Sequence, residues 1–315
     1  MTHSGAPSTL AVVVVSYRSR QLLGECLDSL IAHPPAMPWE AVVVVNASDD
    51  GSADLVRQRY PAVRLLANGT NVGFARAANQ GAAAARGDLV CFLNSDARVT
   101  PGTLDGLAAM LRLHPDVGAV GPRTTASDGR VIRSCFRFPT LARPLLNVRP
   151  LRDVLPKSTL GLAYEPWDAA ATRAVDWVSG ACLMVRRDVL ERLGAFDQGF
   201  FMYFEDVDLC RRLWAAGSGV WYVGDAVVVH HTRGSTLGVH TPALFLMEQR
   251  SRLRYFRKHY GVPGMVFIRG AMGVAALWHL AALPFHRGTA RASQGVRVNL
   301  ELLREALAPA RGPRS

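Results

Sequence analysis

The stretch DLVCFLNSDARV, from Asp88 to Val99, constrains the fold more than any other part of the chain. Leu89 to Leu93 is an apolar run, bounded by Asp88 before it and by Asn94, Ser95 and Asp96 after it. A short apolar run between polar flanks reads as a strand covered on both faces, the environment of a parallel sheet. Open α/β sheets bind ligands outside the carboxyl ends of their strands, and Asp96 falls at such an end. A carboxylate there, beside the amide of Asn94, suits a hard divalent cation that holds a diphosphate. Asp is also a favoured helix cap, which leaves Asp96 a second reading as the cap of a helix starting near Pro101.

The same pattern precedes it. Leu10 to Val15 is an apolar strand closed by Ser16 and Tyr17. A helix follows, with Leu22, Leu23, Cys26, Leu27, Leu30 and Ile31 on one stripe, stopped by Pro34 and Pro35. Ala41 to Val45 is a second strand that runs into NASDDGS, Asn46 to Ser52. There Asp50-Gly51 marks a turn and Ser52 is a cap for the next helix. Val63 to Leu66 makes a third strand, followed by a turn and an Ala-rich helix in NGTNVGFARAANQGAAAARGD. Alternating strands and helices predict an α/β protein with a doubly wound, mostly parallel sheet flanked by helices. The polar strand ends converge on one edge and form a nucleotide-sized crevice. No GxGxxG follows the first strand and no GxxxxGK[ST] occurs, which excludes the usual dinucleotide fold and the P-loop enzymes.

Residues 123–175 change character. Arg123, Arg130, Arg133, Arg137, Arg143, Arg149, Arg152 and Lys157 make this a basic, Pro-containing segment, read as irregular and as a contact for phosphate or anionic lipid. From Asp176 regular structure returns. WVSGACLMVRR, Trp177 to Arg187, reads as a strand with small residues at Ser179 and Gly180, and Asp188 as the cap of a helix through Leu193. FDQGFFMYFEDVDLCRRLWAAG then places Glu205, Asp206 and Asp208 at a helix start, where acids suit the helix dipole. Phe200, Phe201, Tyr203 and Phe204 beside them desolvate the carboxylates, which raises their basicity and makes a setting for a general base. Gly219 to Val229 is a further strand ending in HHTRGST, where His230 can join Asp96 as a metal ligand and Arg233 follows. Four segments result: 10–122, 123–175, 176–262 and 263–315.

The formal net charge is +11, which favours an anionic partner. No helix-turn-helix, zinc, RNP-type or KH signal accompanies it, so nucleic acid is set aside. Five cysteines without a CxxC pair point to a reducing cytoplasm, and MTHSGAPST lacks the pattern of a signal peptide. Leu244 to Tyr260 reads as a basic helix. The apolar stretch Gly264 to Phe285 contains Arg269 and His279 and is short for a span. Cations and aromatics around an apolar helix suit a membrane interface; ordinary packing on the main domain is the alternative.

Taken in order, VVVVSYRS, NASDDGS, NVGFARAANQG, CFLNSDARV, RFPTL, VDWVSGACLMVRR, GAFDQGFFMYFEDVDLCRR and VHHTRGST resemble glycosyltransferase family 2, in its bacterial rhamnosyltransferase-like branch. They span roughly residues 10 to 260. The resemblance implies a GT-A type, Rossmann-like sheet with a C-terminal helical extension, and an inverting, non-processive enzyme. It places Asp96 as the second acid of a DxD-type motif with Asn94 in the first acid's place, Ser95 between them, and His230 completing the metal or diphosphate site. Asp206 takes the place of the base and Glu205 that of its neighbour. Ser16, Tyr17, Asn46, Asp50, Asn71 and Asn79 fall toward the nucleotide and Trp177, Ser179 and Gly180 toward sugar and acceptor; Arg233, after the histidines, is a further cofactor-binding candidate. The implied partners are a nucleotide-diphosphate sugar with Mg²⁺ or Mn²⁺, a lipid-linked or glycan acceptor, and the inner face of the cell membrane. One position departs: the acid that usually precedes the Asn of NAS is Val45. Two other classes compete. A sugar nucleotidyltransferase would need a Gly-rich basic loop where SYRSRQ stands, and a non-catalytic scaffold would not need Asp96, Asp206 and His230.

Overall fold

Three of the apolar runs in the first hundred residues form neighbouring parallel strands in the computed structural model, which describes residues 9–141, 168–231, 241–282 and 299–304. These are β1 (Leu10–Ser16), β2 (Trp39–Asn46) and β4 (Leu89–Asn94), with β3 (Arg64–Asn68) outside β2. Helices α1 (Arg20–Ala32), α2 (Ser52–Arg59) and α3 (Phe74–Ala84) connect them. Val12, Val13, Val14, Val43, Val44, Cys91 and Phe92 are all buried, as two-faced coverage requires. Register sets Val15 opposite both Val44 and Asn94, so the polar ends of β1, β2 and β4 share one edge. Gly81 lets α3 lie close on this sheet, because a Cβ there would collide with Val13. Ile31, expected on the buried stripe of α1, is exposed; Leu23, Cys26, Leu27 and Leu30 carry that face.

The second half adds β5 (Ala97–Val99), α4 (Thr103–Leu113), β6 (Val117–Thr125), β7 (Val131–Ile132), β8 (Cys135–Phe136), β9 (Arg173–Ala174), β10 (Trp177–Val178) and β11 (Cys182–Arg186). Then come α5 (Arg187–Arg192), α6 (Glu205–Ala215), β12 (Gly219–His230) and α7 (Pro242–Ala282). Among the described residues the main sheet runs β3-β2-β1-β4-β11-β6-β12-β5, with β7 beside β6 and β9 beside β12. β11 is antiparallel to both β4 and β6, and β12 is parallel to β6. All the long strands on this path except β11 therefore point one way. Their carboxyl ends, together with the start of β11, make one edge.

Several local expectations change. The apolar run WVSGACLMV is not one strand: Ser179 to Ala181 interrupt it, β10 pairs with β8, and β11 enters the main sheet. Part of the segment expected to be irregular is sheet, namely the end of β6 and all of β7, β8 and β9; residues 142–167 lie outside the described ones. Asp188 sits in the first turn of α5, and the cap position is Arg186. Ser52 is the first residue of α2, whose cap is Gly51 at φ 80°. Asp96 caps nothing: α4 starts at Thr103 behind Gly102, and Asp96 stands between β4 and β5.

The chain forms two compact units, residues 1–138 with 168–239 and residues 139–167 with 240–315. The first holds the sheet. In the second, α7 is broken at Gly261, whose φ of 70° and ψ of −172° are not helical, and Pro263 follows the break. Tyr255, Phe256, Met265 and Ile268 are buried along it, and the Tyr260 hydroxyl donates to the Pro139 carbonyl at 2.8 Å.

Candidate active site

At the end of β1 the chain turns through Arg18 in left-handed backbone, and three buried hydroxyls line up behind it. Ser16 Oγ lies 2.9 Å from Ser19 Oγ, which lies 2.8 Å from Ser95 Oγ. This ties the first strand end to the one carrying Asp96. Ser19 was not among the expected site residues, although SYRS contains it; a hydroxyl three residues past a strand end signals nothing until the fold closes. Tyr17 is exposed, with the Arg18 guanidinium 5.6 Å from its ring centre.

Asn46, at the end of β2, is buried and fully engaged. Its Nδ2 donates to Asn71 Oδ1 at 2.8 Å, and its Oδ1 accepts from Asn68 Nδ2 and from the Val72 amide, each at 3.1 Å. Asn71 Oδ1 also accepts the Gly73 amide at 3.0 Å. Gly73 has φ 84°, and a Cβ there would meet the Phe201 carbonyl at 2.5 Å, so only glycine fits. Asn79 grips the backbone of Phe196 at both ends, donating to its carbonyl at 2.8 Å and accepting its amide at 3.0 Å. Asn46, Asn71 and Asn79 thus shape the crevice wall through protein contacts. Asp50 accepts the Arg20 amide at 2.9 Å and the Ser52 hydroxyl at 2.6 Å. Burial pushes its carboxyl up, but these hydrogen bonds outweigh it and hold the group below the usual aspartate range.

The carboxylate of Asp96 is buried, and His230 Nε2 lies 3.0 Å from its Oδ1. The two come from the end of β4 and the end of β12, which share the carboxyl edge. The Asp96 carbonyl accepts the His231 amide at 2.9 Å. His231 turns the other way, with Nε2 3.3 Å from Glu25 Oε2 and Nδ1 3.0 Å from Ser127 Oγ. Of the adjacent histidines, one therefore faces Asp96 and the other braces α1. Among the described residues no three His, Cys, Asp or Glu side chains cluster as a closed metal cage. A carboxylate oxygen and an imidazole nitrogen 3.0 Å apart do fit a hard cation whose remaining positions belong to water and a diphosphate.

Asp206 is held by two backbone amides, Gly180 to Oδ2 and Val207 to Oδ1, each at 2.8 Å. A Cβ on Gly180 would sit 3.3 Å from that carboxylate. The next residue, Ala181, accepts the Asn94 amide at 2.9 Å, so the loop before β11 joins Asp206 to the strand end that leads into Asp96. Burial raises the Asp206 carboxyl above the usual range; the amides of Gly180 and Val207 oppose it and do not cancel it. Glu205 is buried, and its Oε2 has no hydrogen-bond partner. Burial, then the neighbouring Asp206 charge, lift its carboxyl well above the usual glutamate range. The third acid has a different role: Asp208 binds Arg212 at 2.8 Å, and Arg212 donates to the Leu193 and Ala195 carbonyls. Tyr203 and Phe204 both lie at positive φ, 69° and 67°. Each costs about 1 kcal/mol in an L-residue, and Phe204 is the cap residue from which α6 starts.

Trp177 stacks on Phe136 with ring centres 4.4 Å apart and donates Nε1 to the Arg137 carbonyl at 3.0 Å. Ser179 donates its amide to the Ser134 carbonyl at 2.8 Å. Arg233 lies outside the described residues.

This geometry has relatives. The family described as glycosyltransferase like family 2 matches residues 7–252. An N-acetylglucosaminyl-diphospho-decaprenol L-rhamnosyltransferase of Mycobacterium tuberculosis is 36% identical over 243 residues, which is 72% of this chain and 77% of that protein. A rhamnosyltransferase of Escherichia coli strain K12 is 37% identical over 84 residues, 27% of this chain and 31% of that one. Among solved structures, a mannosyltransferase of Pyrobaculum calidifontis in complex with GDP-Man and Mn²⁺ superposes with a TM-score of 0.56 at 24% identity, over 95% of this chain and 81% of that one. With the strand-end carboxylate, the histidine opposite it and the acid pair opening α6 in the expected order, the chain belongs to glycosyltransferase family 2, in its rhamnosyltransferase-like branch.

Proposed function

We propose that this enzyme moves a sugar, rhamnose first among the candidates, from a nucleotide-diphosphate donor to a hydroxyl of a lipid-linked or cell-envelope acceptor. The anomeric centre inverts. The reaction runs at the inner face of the cell membrane, a reducing compartment that suits five unpaired thiols. The choice of rhamnose rests on the similarity to the Mycobacterium tuberculosis L-rhamnosyltransferase, whose name also supplies the lipid-diphosphate acceptor class.

The observation that carries the reading is the Asp206 carboxylate, raised in basicity by burial and aimed by the Gly180 and Val207 amides. An acceptor hydroxyl is a poor nucleophile at neutral pH, and a fixed base of raised pKa takes its proton as the bond to the anomeric carbon forms. The bond from that carbon to the diphosphate breaks in the same displacement, and the nucleotide diphosphate leaves. Asp96 and His230 would hold a divalent cation; bound there, it neutralises the charge growing on the leaving diphosphate. Burial, then the neighbouring Asp206 charge, favour the protonated form of Glu205.

The test is a donor screen. Purified full-length protein with Mg²⁺ or Mn²⁺ meets a panel of nucleotide sugars, scored by thermal shift and slow donor hydrolysis. A shift with dTDP-rhamnose above the other donors is expected; preference for another donor removes rhamnose and keeps the transferase. Asp206→Asn keeps the donor shift and lowers transfer by roughly 10²–10⁴-fold. Loss of donor shift together with transfer would make Asp206 a structural residue.

A further inference from the structure

The net charge of +11 is not spread over the molecule. The unit made of residues 1–138 and 168–239 contains 20 Lys and Arg against 20 Asp and Glu. The unit made of residues 139–167 and 240–315 contains 16 against 5, so the entire excess belongs to it. The same unit carries an apolar helix face turned to solvent. After the break at Gly261, Val262, Val266, Phe267, Val274, Leu277 and Trp278 are all exposed. At 100° per residue they fall within about 160° of one another, an arc without a charged residue. The opposite face, Met265, Ile268, Met272 and Ala276, is buried within the protein. The half of α7 before the break supplies Arg250, Arg252, Arg254, Arg257 and Lys258 against Glu248.

We infer that α7 is a docking helix for the surface of an anionic bilayer. The exposed arc enters the boundary between head groups and acyl chains, and Arg254 and Lys258, exposed on the same helix, hold anionic head groups. The helix lies on the membrane instead of crossing it. By length and composition alone it could cross, its most apolar 18-residue window having a mean hydropathy of 1.4. A crossing helix would give lipid its whole circumference, whereas α7 has one face committed to protein, Arg269 in its apolar half and a break at Gly261. Charge complementarity selects the occupant: a second copy of this chain would bring another unit of 16 cations against 5 acids to the same face.

The test is vesicle flotation of the full-length protein in about 0.15 M salt, scored independently of any activity. Vesicles of phosphatidylcholine alone are compared with vesicles containing a third phosphatidylglycerol. Wild type is expected to float with the anionic vesicles at least tenfold more than with the neutral ones, and to be released by 1 M salt. The double variant Val266→Glu, Leu277→Glu changes only exposed side chains and is expected to lose at least tenfold of the floated fraction. Its thermal shift with a nucleotide sugar shows that it is folded. Arg254→Gln with Lys258→Gln is expected to lose the preference for anionic lipid. Equal flotation with neutral vesicles, no flotation together with a dimer in sedimentation, or retention in cell membranes through both 1 M salt and alkaline carbonate would each overturn the inference.

Discussion

A buried carboxyl with no partner has a consequence that can be measured without knowing the substrate. Glu205 binds its proton more tightly in the folded chain than in the unfolded one. Between the ordinary glutamate range and the raised folded value the native state therefore holds more protons, and stability falls as pH rises through that window. Glu205→Gln removes the titration. Its melting temperature is expected to exceed wild type by a few degrees near neutral pH, with the gap closing as pH falls below the ordinary range. A gap independent of pH would mean that Glu205 carries no raised pKa. Asp96 gives the complementary test. Asp96→Ala is expected to weaken donor binding at least about tenfold in the presence of Mn²⁺, and to make it insensitive to EDTA. Wild type treated with EDTA is expected to match the variant in isothermal titration; an unchanged affinity would remove Asp96 from the cation site.

At the scale of elements, polar residues that look alike in the sequence part company. Asn46, Asn71 and Asn79 stand in motifs that resemble nucleotide-binding loops, yet Asn46 and Asn79 have both side-chain polar atoms engaged by protein groups, and Asn71 its Oδ1. Asn79 reaches Phe196, 117 positions away, and ties α3 to the loop leading into α6. Asn79→Ala leaves a buried amide and carbonyl of Phe196 unpaired, at a cost of about 2 kcal/mol. Urea unfolding is expected to show that loss, with the donor affinity of the folded protein changed by less than threefold; unchanged stability with lost affinity would return Asn79 to the nucleotide. Such partners could not be read beforehand, because a hydrogen bond between distant segments leaves no local periodicity. The strands of the first hundred residues left a clear one, since Val12, Val43 and Cys91 must be apolar on both faces.

For the whole molecule, the doubly wound sheet was legible and the place of its middle strand was not. The run from Trp177 to Val185 is apolar except at Ser179 and Gly180, which mark the place of the break but not the reversed direction of β11. Direction is settled by packing, where β11 fits between β4 and β6 and brings Gly180 to Asp206. Asp96 stood out by its place after an apolar run; the aromatics marked Glu205, Asp206 and Asp208 together, and only the family resemblance singled out Asp206. What aims them could not be picked out: two successive residues in left-handed backbone, Tyr203 and Phe204, follow no turn signature. The charge was visible as a total, while its confinement to one unit emerged only when the chain was divided as it folds.

Because β11 sits between β4 and β6, the order of synthesis matters to this enzyme. A ribosome that has released only the residues before Cys182 has delivered β1 to β4 and β6 without the strand that joins them, leaving open edges on β4 and β6 in the nascent polypeptide. The sheet joins at Arg186 and is complete only once β12, which pairs with both β6 and β5, has followed, so β1 to β4 and β6 cannot form it without the later half of the chain.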